Sequence, residues 1–183
     1  MFGAAIMRQW SLGALTLVML SGTPVQSTPQ VTPNGFLVQF DVSVNAPPAK
    51  VYEALVGQIG SWWNPEHTYS HDAKNLSIDA RPGGCFCEKL PGGGAVEHGR
   101  IVNVSPNNLS RLSSALGPLQ ELAVMGTLTW SIEPAKQGSG STLTMTYAAG
   151  GYTPGGLDKL ADIVNTVLSQ QVQRLKEYAE KAR

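Results

Sequence analysis

The chain has 183 residues with 42% hydrophobic and 14% charged side chains, and its formal net charge is zero. So few charges beside ample apolar content argue against disorder. Charge neutrality removes the footprint of a nucleic-acid binder and of a polybasic membrane patch. Twenty glycines and twelve prolines keep long helices from dominating.

The N-terminus opens with Arg8, an apolar run from Trp10 to Leu20, a Ser21-Gly22 break with Pro24, and small residues at Val25–Ser27. This order predicts a secretory signal over residues 1–27, because the run is too short for a transmembrane helix of about 20 residues. Export to the periplasm or medium is therefore expected, with no integral membrane segment after cleavage. A polar, Pro-marked lead-in over 28–35 is expected to be flexible. A single domain over 36–183 follows, with no further linker or repeat.

Phe36, Val38, Phe40, Val42 and Val44 alternate with their neighbours as a half-buried strand does. Pro47-Pro48 opens a short helix with an apolar stripe at Val51, Ala54, Leu55 and Ile59, closed by Gly60 to Pro65. Strands are expected near 76–80, 85–90, 96–104, 109–116, 122–132 and 142–147, joined by Gly- and Pro-rich turns as an antiparallel meander. Leu157, Leu160, Ala161, Val164, Leu168, Val172, Leu175 and Ala179 then recur at helical spacing, and Ile163 and Val167 widen that stripe. One long amphipathic helix with a one-sided sheet implies an α+β fold, in which about six to seven strands curve around the C-terminal helix.

Several local signatures stand along this order: Ala46-Pro47-Pro48-Ala49-Lys50-Val51-Tyr52-Glu53-Ala54-Leu55, Trp62-Trp63-Asn64-Pro65, Gly83-Gly84-Cys85-Phe86-Cys87-Glu88 and Gly99-Arg100-Ile101-Val102. With the terminal helix, they resemble the START-like or Bet v 1-like superfamily, also called SRPBCC. They are most similar to its bacterial branch related to the activator of Hsp90 ATPase. The resemblance covers residues 36–181. It implies a helix-grip fold whose sheet and helix enclose an apolar cavity, but it does not imply a reaction.

No phosphate loop or nucleophile elbow is present. His67 and His71 stand four apart, but Pro65 and the polar residues between them disfavour a metal-binding helix, so a solvated or loop-anchoring role is expected. No metal and no cofactor are called for. Cys85 and Cys87 are expected to remain unbridged, because residues two apart on a strand lie about 6.6 Å from each other.

One register across the Pro91–Gly94 turn pairs Leu90 with Val96, Lys89 with Glu97, Glu88 with His98 and Phe86 with Arg100. It avoids like charges opposite each other, and it gathers Glu88, His98 and Arg100 on one face beside Phe86, Leu90, Val96, Val102 and Val104. Ligand-binding candidates are therefore Trp62, Trp63, Phe86, Glu88, His98, Arg100, Trp130 and Tyr147. One ring of the Trp62-Trp63 pair is expected to plug the core and the other to face the cavity.

The favoured expectation is an exported binding protein for a small apolar or amphipathic molecule, lipid-like or aromatic, acting as a monomer or weak dimer. Two alternatives stay open. One is a cavity enzyme of the cyclase, dehydratase or hydrolase type, and the other is a chaperone-like interaction domain.

Overall fold

The computed structural model describes Val25 and residues 27–181. The expected signal segment therefore lies almost wholly outside the described residues. The elements are β1 (Gln30–Thr32), β2 (Gly35–Val44), α1 (Pro48–Gly57), α2 (Ile59–Trp62), β3 (Leu76–Ile78), β4 (Cys85–Lys89), β5 (Ala95–Ser105), β6 (Leu109–Ser114), β7 (Ala123–Pro134), β8 (Ser141–Tyr152) and α3 (Asp158–Lys181). All eight strands form one antiparallel sheet in the order β1-β2-β8-β7-β6-β5-β4-β3. Its apolar face curves around α3, with α1 and α2 filling the gap at one end. This is a helix-grip fold, with a sheet slightly larger than the six or seven strands expected.

The central strands follow the alternation of their sequence. Val38, Phe40 and Val42 of β2, Val124, Leu128, Trp130 and Ile132 of β7, and Leu143, Met145 and Tyr147 of β8 point into the core. Gly126 keeps the β7 series in step with its neighbour, since a Cβ there would stand 2.5 Å from the Tyr147 ring. Pro48 occupies the first turn of α1, where a missing amide hydrogen costs nothing.

Leu157 just before α3, and Ala161, Leu168, Val172, Leu175 and Ala179 on it, are buried as the stripe implied. Ile163 does not widen that stripe: it is 63% exposed. The buried face instead includes Gln171, a polar residue with no exposed surface. Residues 30–32, expected in the lead-in, pair with β2 as a short edge strand. No helix among the described residues is long and apolar enough to cross a membrane.

The other half of the sheet departs from simple alternation. Between β4 and β5 the ladder pairs Glu88 with Val96, Cys87 with Glu97, then Phe86 with Gly99, so His98 is an extra residue. Between β5 and β6 it pairs Ile101 with Leu112, then Asn103 with Arg111, so Val102 is extra. Each is a β-bulge, which re-aims the side chains that follow it. The expected uniform register is thereby corrected. Ile101 points into the core in place of Val102, which is 54% exposed.

Candidate functional site

Glu88 is the most unusual side chain in the domain, a carboxylate with no exposed surface on an otherwise apolar sheet face. Alternation along β4 turns Phe86 and Glu88 inward and Cys85, Cys87 and Lys89 outward. The partner comes from the bulge in β5. Because His98 is the extra residue, it and Gly99 both face inward, and the His98 ring comes to lie against Glu88. Gly99 suits that position, since a Cβ would sit a tight 3.0 Å from both the Ser113 carbonyl oxygen and Ser114 Cβ. The Ser114 hydroxyl donates 2.6 Å to the His98 carbonyl and pins the bulge to β6.

The imidazole Nε2 lies 2.9 Å from Glu88 Oε2. Two backbone amides complete the carboxylate shell, Tyr69 N–H at 3.1 Å to Oε2 and Ser70 N–H at 2.5 Å to Oε1. Burial alone would push the Glu88 carboxyl up. The hydrogen bonds from Ser70, Tyr69 and His98 outweigh it and hold the group below its ordinary value. Burial lowers His98, and the attraction of Glu88 only partly opposes this. The pair therefore rests as an anionic carboxylate and a neutral imidazole near pH 7. With its proton on Nε2, directed at Glu88, the ring presents the Nδ1 lone pair, which no hydrogen bond from the described residues engages.

A row of rings leads from this pair into the core. Tyr69, itself 42% exposed, stacks on His98 with ring centres 6.0 Å apart. His98 meets Phe86 at 4.9 Å, Phe86 meets Trp63 at 5.6 Å, Trp63 meets Trp62 at 5.5 Å, and Trp62 meets Trp130 at 6.2 Å. Phe86 and the three tryptophans also line a small enclosed space with Leu55, Leu112 and the Ser110 hydroxyl. Its volume is about 10 Å³, room for a single water at most.

The segment between α2 and β3 contributes Trp63 to this space and is tied down at both ends. Trp62 and Trp63 donate their indole N–H groups to the Ala54 and His67 carbonyls at 2.8 and 3.1 Å. Arg174 of α3 donates to the Trp62 carbonyl at 2.6 Å, and Gln171 Oε1 accepts from the Asn64 amide at 2.9 Å. His67 lies 3.2 Å from Gln170, so it anchors its loop as expected. His71 is exposed and adopts a positive φ of 56°. At the far end, Glu88 holds Tyr69 and Ser70.

Of the residues singled out in the sequence, Trp62, Trp63, Phe86, Glu88, His98 and Trp130 come together. Arg100 does not join them, which corrects the expected trio. It stands on the outer face with its side chain 53% exposed, where it pairs with Glu97 and donates to the Gly83 carbonyl. The bulge at His98 is the reason, because it changes which of the two residues faces inward. Tyr147 is wholly buried away from the space, its hydroxyl donating to the Ser114 carbonyl at 3.2 Å and accepting from the Leu116 amide at 3.3 Å. Burial raises its phenol to about 12, so it stays protonated.

The amino-acid pattern does not single out Tyr69, Gln171 or Arg174. For Gln171 a signal exists, a polar residue beside Val172 and within the spacing of the apolar stripe.

The expectation of free thiols is also corrected, since Cys85 and Cys87 are joined by a disulfide. Their Cα atoms lie 5.3 Å apart, closer than the roughly 6.6 Å of a regular strand and within reach of a disulfide.

No family model matches the chain, and no curated protein matches it. Solved structures do. A conserved protein of unknown function from Enterococcus faecalis aligns with a TM-score of 0.59 at 13% identity, over 85% of this chain and 78% of that one. An uncharacterised protein from Rhizobium leguminosarum aligns at 0.59 and 16% identity, over 86% and 99%. CalU16 from Micromonospora echinospora aligns at 0.53 and 14% identity, over 88% of each chain. These similarities establish the fold and carry no activity with them.

Proposed function

We propose that the protein binds a small apolar or amphipathic molecule, aromatic or lipid-like, between the sheet and α3. The apolar body of the ligand packs among Trp62, Trp63, Phe86 and Trp130, and its polar end meets His98 Nδ1. One observation carries the reading: a continuous row of aromatic rings ends at a buried carboxylate–imidazole pair. Apolar walls with a few placed polar groups are how small-molecule sites are built. The enclosed space is too small for such a ligand as it stands, so the proposed entry opens beside the Glu88–His98 pair, where movement of the segment from Asn64 to Asn75 lifts Tyr69 off His98. Glu88 is the latch on that segment, through the amides of Tyr69 and Ser70.

The test is a panel of lipids and aromatic compounds read by Trp fluorescence and melting temperature. A saturable, stoichiometric response is expected, and His98→Ala should weaken binding more than it lowers stability. A panel that leaves both signals unchanged would sink the carrier reading. If His98→Ala lowers stability while affinity is kept, the pair is structural.

The same dyad favours a second reading, a cavity enzyme of the cyclase, dehydratase or hydrolase type. A neutral imidazole oriented by a carboxylate is equipped to accept a proton at Nδ1. That reading requires pH-dependent turnover abolished by His98→Ala.

Kinship with the SRPBCC superfamily and export to the periplasm or medium belong to the same proposal. The helix-grip architecture supports the first. The Cys85–Cys87 bond supports the second, because disulfides persist in oxidising compartments. Protein recovered from its native host should begin near Thr28, and an intact Met1 would refute export by cleavage.

A further inference from the structure

The ring closed by the Cys85–Cys87 bond spans a single intervening residue, Phe86. A disulfide stabilises chiefly by limiting the unfolded chain, and the effect grows with the length of the loop closed. A loop this short restricts the unfolded chain less than a long loop does. The folded strand does not need the bond. Its backbone pairs with β3 on one side and β5 on the other, while Phe86 and Glu88 anchor it from within. As a staple the bond contributes less than one closing a long loop would.

Its placement is that of a reactive group. Both cysteines lie on the outer face of the sheet and are half-buried, next to the exposed Gly83 of the preceding turn. Ser77 and Glu97 stand opposite Cys87, and Arg100 stands opposite Cys85. The Asp79–Arg81 and Glu97–Arg100 ion pairs and the exposed Lys89 complete the charged surroundings. Three cations against two anions leave this surface slightly positive, which suits an incoming thiolate and helps to stabilise a departing one.

We propose that Cys85 and Cys87 form a thiol–disulfide exchange site, whose substrates are low-molecular-weight thiols and the exposed dithiols of other chains. An incoming thiolate forms a new sulfur–sulfur bond with one of the two cysteines. The Cys85–Cys87 bond breaks and the other cysteine leaves as a thiolate. A second thiolate, from the same dithiol or from a second low-molecular-weight thiol molecule, attacks the substrate sulfur of the mixed disulfide and forms the substrate's disulfide, releasing the remaining cysteine thiolate. Two electrons pass to the protein, and the two protons lost by the substrate end on Cys85 and Cys87. The site is independent of the ligand cavity, since the cysteines and the Glu88–His98 pair occupy opposite faces of the sheet.

The experiment equilibrates the oxidised full chain with mixtures of reduced and oxidised glutathione, quenches by alkylation and reads the product by mass. Far-UV circular dichroism and Trp fluorescence are followed in the same samples. Reversible reduction to the dithiol at ratios within the range of cellular glutathione pools is expected, with the fold retained throughout. The oxidised chain should also oxidise a dithiol peptide, in a single turnover, at least about tenfold faster than the Cys85→Ser, Cys87→Ser double variant. A bond that survives excess dithiothreitol in the native state would overturn the proposal. So would reduction only on unfolding, or peptide oxidation no faster than the variant's.

Discussion

β2 runs beside β8 for ten consecutive residue pairs, and β7 runs beside β8 for twelve, with no residue out of step. Across β4, β5 and β6 the ladder slips twice within the eleven residues of β5. The regular half buries apolar side chains, one tyrosine whose hydroxyl is satisfied at both ends, and Ser141, whose hydroxyl donates to the Ala46 carbonyl. The slipped half buries a carboxylate and an imidazole, and carries a disulfide on its outer face. Unbroken alternation builds a wall. A bulge adds one residue that can face inward without surrendering a core position, and at His98 that residue is chemically active.

The two halves should therefore respond differently to substitution. The largest effect is expected in the regular half. Leu128 is 1% exposed and paired with Leu112 on one side and Tyr147 on the other. Leu128→Ala should cost about 2–5 kcal/mol in urea unfolding, for the lost burial and the cavity left behind. Amide exchange at Tyr69 and Ser70, measured well below the unfolding midpoint, should stay as in the parent.

A smaller, differently distributed loss is expected from Glu88→Gln. It keeps the shape but weakens the acceptor for two amides and an imidazole, at a cost of about 1–3 kcal/mol. Hydrogen exchange should quicken at Tyr69 and Ser70 while the β7–β8 amides remain protected. Equal quickening in both halves would show that the latch and the wall are one cooperative unit.

The mildest probe is pH. His98 is held below its ordinary value of 6.5 and Glu88 below its ordinary 4.5. In both cases the unfolded chain binds the proton more readily than the folded one, so acidification favours unfolding. The stability tied to His98 is fully present above pH 6.5 and is lost as pH falls toward its folded value. That tied to Glu88 is lost below pH 4.5. The melting temperature should be flat from pH 7 to 8 and decline below 6.5, and His98→Gln should flatten the first part of the decline. A parent curve flat down to pH 5 would contradict the buried neutral imidazole.

The same division decides how much of the molecule is legible in its amino-acid order. Alternation from Phe36 to Val44 and from Leu143 to Tyr147 marks strands whose inward residues are the ones observed. The α3 stripe and the Pro48 start of α1 are equally plain. A period of two cannot report an extra residue, so a uniform register brings Glu88 and His98 together by the wrong pairing and carries Arg100 inward with them. Gly99 is the available clue, because an isolated glycine within a strand pattern marks a bulge or a close approach. The disulfide escapes because the spacing of about 6.6 Å that argues against it belongs to a regular strand, whereas this pair stands 5.3 Å apart. Tyr69 reaches His98 through a loop whose course no local pattern sets.

The pairing of β2 with β8 also governs how the chain reaches this shape. Phe40 and Met145 are partners although they stand more than a hundred residues apart, while every other neighbouring pair of strands is consecutive in the chain. Strands β3 to β7 can zip as successive hairpins as soon as each is made. β2, the first long strand to be synthesised, must wait for nearly the last. Closing so large a loop is slow and costly in entropy before any contact rewards it. During synthesis the β8 edge of β2 therefore stays unpaired until β8 emerges, so of the long strands this one waits longest for its neighbour.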